Sequence, residues 1–116
     1  MSWESPLIMV PLITGPILIL AGYILYKAPP KEINSMYGYR TKRSMNSQQL
    51  WDFAQIYSGI KLMKIGLWYL LSIILGFVIR TSVTWGLVIS FSILSILIVW
   101  MYLRVERELK KIDTVE

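Results

Sequence analysis

Apolar residues gather into three long stretches, about 5–26, 62–79 and 83–103, separated by a polar connector of some length and by one short turn. A helix needs ~20 predominantly apolar residues to cross the hydrocarbon core, and the first and third stretches supply them. The second is shorter, with fifteen residues between Lys64 and Arg80. Both flanking side chains can snorkel to the interface and extend its usable length. The pattern therefore predicts an all-α membrane protein of one domain spanning 1–116. Its parts are three transmembrane helices, a connector with an interfacial helix over 27–61, and a tail over 104–116.

Within the first stretch, Pro11 and Pro16 cannot donate to the carbonyls of Leu7 and Leu12, and Gly15 adjoins the second proline. Two readings stand: a simple kink, or a deformable hinge with a polar cleft that satisfies the freed carbonyls. Ala28-Pro29-Pro30 ends the helix, since a proline pair cannot continue it. The segment 27–47 has no apolar periodicity. Asn46-Ser47-Gln48-Gln49 then reads as a capping box with Asn46 as N-cap and Gln49 at N3. From there Leu50, Phe53, Ala54, Tyr57 and Ile60 recur at helical spacing, while Gln48, Gln49, Asp52, Gln55 and Ser58 take the opposite face. This predicts an amphipathic helix at the interface. It either bends at Gly59 into the second span or runs on as one helix over 47–79.

The second and third spans form a hairpin around Arg80-Thr81-Ser82. Ser72 and Gly76 precede Thr81 by nine and five residues; Gly86 and Ser90 follow it by five and nine. In an antiparallel hairpin these four fall at matching depths, which predicts the closest contact of spans two and three there. Beyond Tyr102 the last helix continues as a solvated tail, with Glu106 and Lys110 spaced for an i,i+4 ion pair of ~0.3–0.5 kcal/mol.

Charge adds orientation. Of 12 basic residues, Lys27, Lys31, Arg40, Lys42, Arg43, Lys61 and Lys64 lie between the first two stretches or at the base of the second. Arg104, Arg107, Lys110 and Lys111 follow the third, and Arg80 alone sits in the short turn. The positive-inside rule places the connector and C-terminus in the cytoplasm and the N-terminus outside. The leading Met1-Ser2-Trp3-Glu4 is acidic, unlike the basic start of a signal peptide. Trp3, Tyr23 and Tyr26 read instead as interfacial anchors of a retained helix. The pI near 9.6 follows from the same charge bias and gives no argument for nucleic acid.

Chemistry is restricted by what the chain lacks. It contains no Cys and no His, which excludes disulfides, thiol chemistry, imidazole acid–base work and Cys or His metal sites. No Asp, Glu or His falls within a span, so no intramembrane proton relay can be built from ionisable groups. Glu32 and Asp52 lie near the inner surface, with nothing to arrange them beside a nucleophile or a ligand set. The expectation is a non-enzyme with no cofactor and no metal.

The segment Asn34-Ser35-Met36-Tyr37-Gly38-Tyr39-Arg40-Thr41-Lys42-Arg43-Ser44, followed by Trp51, is unusual for a loop that only carries charge. Two tyrosines flank a glycine that can take a positive φ, and Arg40 offers a planar five-donor fork. Asn34, Thr41 and Ser44 can close local turns. Two readings stand here also. One is a compact cap on the mouth of the bundle, with Arg40 paired to Asp52 or Glu32 and Trp51 covering the pair. The other is a basic loop resting on anionic headgroups, each cation worth ~1 kcal/mol.

Pro30, Asn34, Gly38-Tyr39-Arg40-Thr41, Ser44, Trp51 and Ala54, with a span directly after, resemble the signature of the SdpI family over roughly 29–79. These are small bacterial membrane proteins named for immunity to the sporulation-delay peptide toxin. The resemblance implies a place in a bacterial plasma membrane and protection of the cell against a membrane-active peptide. In some members it also implies signalling, by drawing a cytoplasmic repressor to the membrane. Longer members carry additional spans; this chain keeps the shared module. The reading is non-catalytic immunity at the lipid bilayer, with a peptide toxin and a cytoplasmic regulator as partners. Three spans leave little room for a private cavity, so a homo-oligomer is expected. The rivals are a small transporter or lipid-handling protein and an accessory subunit of a membrane complex.

Overall fold

Ser5 begins the first helix: its hydroxyl accepts from the Leu7 amide at 3.3 Å, and Pro6 stands at the first helical position, where a missing N–H costs nothing. In the computed structural model, which describes residues 5–115, four helices follow in order. They are α1 (Pro6–Lys27), α2 (Gln48–Leu71), α3 (Ile73–Val78) and α4 (Val83–Val115). No strand occurs among the described residues. Three segments are long and apolar enough to cross a membrane: Pro6–Lys27, Gln48–Val78 and Val83–Asp113. Their outward faces carry large apolar side chains such as Ile17, Trp68, Trp85 and Ile96, a surface that suits lipid rather than water. Tyr23 and Tyr26 are exposed, as interfacial anchors require. Trp3 lies outside the described residues.

Glycines set the closest packing. Gly15 and Gly22 of α1 face Gly66 and Gly59 of α2, each pair seven residues apart, as an antiparallel crossing demands. A Cβ on Gly22 would lie 2.6 Å from the Gly59 carbonyl oxygen and 2.7 Å from the Met63 amide nitrogen. A Cβ on Gly66 would lie 2.9 Å from the Gly15 carbonyl oxygen. The backbones touch, and dispersion replaces the hydrophobic drive that lipid does not supply.

The quartet Ser72, Gly76, Gly86 and Ser90 does not form the predicted contact between spans two and three. No close backbone approach joins α3 to α4. The end of α1 comes between them instead. Ile8 fills the space over Gly76, the Pro6 ring lies on Gly86, and the Ser90 hydroxyl donates to the Pro6 carbonyl at 2.9 Å. Tyr69 donates to the Ser90 carbonyl at 3.0 Å, linking α2 to α4. A third helix occupies the gap that the small residues leave. Ser72 bonds back to the Tyr69 carbonyl, and the Leu75 amide donates to the Ser72 carbonyl, so the ladder tightens there and divides α2 from α3.

α2 runs unbroken past Gly59 as far as Leu71, but one helix over 47–79 does not form, because Ser72 interrupts it. Its N-cap is Ser47, one residue later than expected, with the Ser47 hydroxyl accepting from the Leu50 amide at 3.2 Å. α1 passes both prolines without interruption, Pro11 buried and Pro16 exposed. Beside Pro16 a shallow groove of about 370 Å³ is lined by Ile19, Leu20, Tyr23, Met63 and Leu70. It is apolar, where the hinge reading expected a polar cleft. α4 reaches far beyond its apolar span. Val105 and Leu109 are fully buried against Leu50 and Ala54, with Tyr39, Phe53, Met101 and Ile112 around them. The expected solvated tail is part of the core, because an apolar residue every fourth position (101, 105, 109) presents a stripe to α2.

Candidate functional site

The connector folds into a compact cap through hydrogen bonds made by its own short polar side chains. Asn34 Oδ1 accepts from the amides of Met36 and Tyr37 at 2.9 and 2.7 Å, an Asx turn that reverses the chain. The Tyr37 hydroxyl returns to the Ala28 carbonyl at the end of α1. Gly38 follows at φ 105°, the one positive φ among the described residues, and a Cβ there would strike Gln55 Oε1. Thr41 and Ser44 then bond reciprocally: the Thr41 amide donates to Ser44 Oγ at 2.8 Å and the Ser44 amide to Thr41 Oγ1 at 3.1 Å.

Two side chains of α2 hold the cap from below. The Trp51 indole, fully buried, donates to the Pro30 carbonyl at 2.8 Å. Gln55, also fully buried, accepts from the Tyr39 amide at 2.7 Å and donates to the Tyr39 carbonyl at 3.0 Å. This pairs the loop backbone as a neighbouring strand would. Gln55 and Ser58 were expected on the solvent face. Both are buried, since α2 packs on α1 as well as α4 and so has more than one covered face.

From the side, α4 supplies the acceptor. Glu106 Oε2 accepts from the Tyr39 hydroxyl at 2.7 Å and from Thr41 Oγ1 at 2.8 Å; Arg43 Nη1 approaches Oε1 at 3.4 Å. Arg43 also lies 3.8 Å from Asp113. Burial, then the hydrogen bond and charge of Glu106, push the Tyr39 hydroxyl pKa well above its ordinary value, so Tyr39 stays a donor. The predicted Glu106–Lys110 pair is absent because Glu106 turns to the cap; Lys111 pairs with Glu108 at 3.2 Å instead. A polar cleft of about 450 Å³ opens beside this cluster, between Thr41, Lys42, Asn46, Tyr102 and Asp113.

The sequence-predicted residues divide by what they do. Asn34, Tyr37, Gly38, Tyr39, Thr41, Ser44 and Trp51 all serve the cap's internal bonding. Asp52 accepts from Gln48 at 2.7 Å and does not meet Arg40. Arg40 is exposed and makes no ion pair among the described residues, and Trp51 covers the Pro30 carbonyl rather than a charge pair. Sequence reasoning missed Gln55, Arg43 and Glu106. Gln55 falls one turn after Trp51, and that spacing is the signal that places it on the same face.

Comparison with known proteins bears out the family resemblance. Over 59 residues the chain is 48% identical to an uncharacterized protein, YfhL, of Bacillus subtilis (strain 168), a match covering 51% of this chain and 54% of that protein. The chain thus spans about half the length of that relative. No solved structure matches it. Residues 31–103, the cap and the second and third spans, match the model of the SdpI/YfhL protein family, and the chain belongs to that family.

Proposed function

We propose that this protein gives a bacterial cell immunity to a membrane-active peptide, acting by binding in the plasma membrane and not by catalysis. The connector and C-terminus face the cytoplasm, where the cap is also the surface a cytoplasmic regulator would meet. The observation that carries the reading is the one outward side chain of the signature. Every neighbouring signature residue is consumed in folding the loop, while Arg40 projects its fork with no internal partner among the described residues. Family membership supports the class of function. The apolar lining of the groove beside Pro16 favours it over a transport path. The extensive apolar outer surface suits self-association as well as lipid.

Sensitive cells expressing the protein, challenged with a panel of membrane-active peptides, test the reading. Expression is expected to raise the lethal dose of at least one peptide, and Arg40→Ala to abolish the gain at unchanged protein level. Trp51→Ala is expected to lose protection by lowering the protein level, since it removes a buried indole. Absence of protection against every peptide refutes immunity; full protection by Arg40→Ala refutes the role given to the cap.

A further inference from the structure

Four side chains where α2 and α4 cross alternate ring and cation. Lys61 stands one turn beyond Tyr57 on α2, and Arg104 one turn beyond Trp100 on α4. Lys61 Nζ lies 5.2 Å from the Tyr57 ring centroid and 5.5 Å from that of Trp100; Arg104 Cζ lies 5.5 Å from Trp100 on its own account. Lys61 retains only 8% of its surface. Neither cation has a hydrogen bond or carboxylate partner among the described residues, whereas Arg43 and Lys111 both do. Ring faces attract a cation but accept little from its N–H groups. The Lys61 stem is buried while its ammonium stays accessible, and beside it a guanidinium shares one of its rings; neither head has an acceptor among the described residues. An anion from outside the chain suits both.

We propose that Lys61 and Arg104 bind the phosphate of an anionic phospholipid headgroup. Arg104 presents two parallel donors to a phosphate, and Lys61 adds a point charge from the facing helix. Placement favours a lipid over a free phosphate ion. Arg104 immediately follows the apolar run 83–103, and Tyr57 and Trp100 are the amphipathic rings expected at headgroup depth. Leu103 and Val99 are exposed beside the site, an apolar surface on which acyl chains can lie. The enclosed polar atom without a partner among the described residues is Thr81 Oγ1, so the Lys61 ammonium keeps an opening through which a headgroup can reach it.

Thermal unfolding of the purified full chain in neutral detergent, with phosphatidylglycerol, phosphatidylcholine or inorganic phosphate added, tests the site. Phosphatidylglycerol is expected to raise Tm for the wild type and for Lys64→Gln, an exposed cation one turn away. The rise is expected to fall by at least half in Arg104→Gln and to vanish in Lys61→Gln combined with Arg104→Gln. Phosphatidylcholine and inorganic phosphate are expected to do little. Equal rises in all variants overturn the assignment, and a full rise with inorganic phosphate overturns the lipid source. Native mass spectrometry of the wild type keeps the test independent of variant folding: preferential retention of phosphatidylglycerol over phosphatidylcholine supports the site, and equal or no retention overturns it.

Discussion

Glu106→Ala is the substitution that separates a folded cap from a loose basic loop. The carboxylate is mostly buried, at 13% side-chain exposure, and it is the shared acceptor for Tyr39 and Thr41. Its removal strands two part-buried hydroxyls, each costing ~1–3 kcal/mol. The Arg43 pair adds at most ~1 kcal/mol, because Arg43 is 37% exposed and solvent screens it. Allowing for rehydration of the freed groups, the cap should lose about 2–4 kcal/mol of local stability. Glu106→Gln keeps one carbonyl acceptor and should cost about 1 kcal/mol. Hydrogen exchange reads this directly, since every 1.4 kcal/mol is about tenfold in opening. The amides of Tyr39, Thr41 and Ser44, bonded to Gln55, Ser44 and Thr41 side chains, should exchange at least tenfold faster in Glu106→Ala. Amides at the Gly22–Gly59 crossing should not change. Unaltered exchange at Tyr39 and Ser44 would refute the docking of the connector on α4.

Gly22→Ala should destabilise the bundle by about 1–3 kcal/mol, as the new methyl meets backbone atoms of Gly59 and Met63 that cannot move aside; denaturation in mixed micelles measures it, and a neutral result removes the close crossing of α1 and α2. Tyr39 predicts a pH effect. Its pKa is raised in the folded state, so the protonated form is the one folding favours. That contribution is fully present below the unfolded value of about 10 and is lost as pH rises above it. Tyr39→Phe should therefore be less stable than wild type at pH 8, and the difference should shrink as pH passes 10; a constant difference contradicts the buried donor.

The number of apolar spans, the stop at Pro29-Pro30 and the positive φ at Gly38 were legible because each rests on local chemistry. A proline pair or a glycine acts wherever the rest of the chain goes. Partners across helices were not. The depth match of Gly76 and Gly86 was sound arithmetic for two helices, and only the third, carrying Pro6 and Ile8, decides what fills the space. The seven-residue spacing shared by Gly15–Gly22 and Gly59–Gly66 was present in the sequence and is the stronger packing signal. Arg40 and Arg43 show the same limit at the cap: both are cations three residues apart, and which one finds a carboxylate depends on where α4 brings Glu106 and Asp113. Charge spacing along one segment cannot contain that information.

The native chain contains no cysteine, so single introduced thiols report sidedness cleanly. Lys42→Cys on the connector, Lys110→Cys on the α4 extension and Ser82→Cys in the opposite turn are all at exposed positions. With an impermeant maleimide on intact cells, Ser82→Cys should label at once, and the other two only after permeabilisation. Labelling of the connector variant on the side opposite the α4 variant, or of all three together in intact cells, would contradict a three-span chain whose cap docks on the end of its last helix.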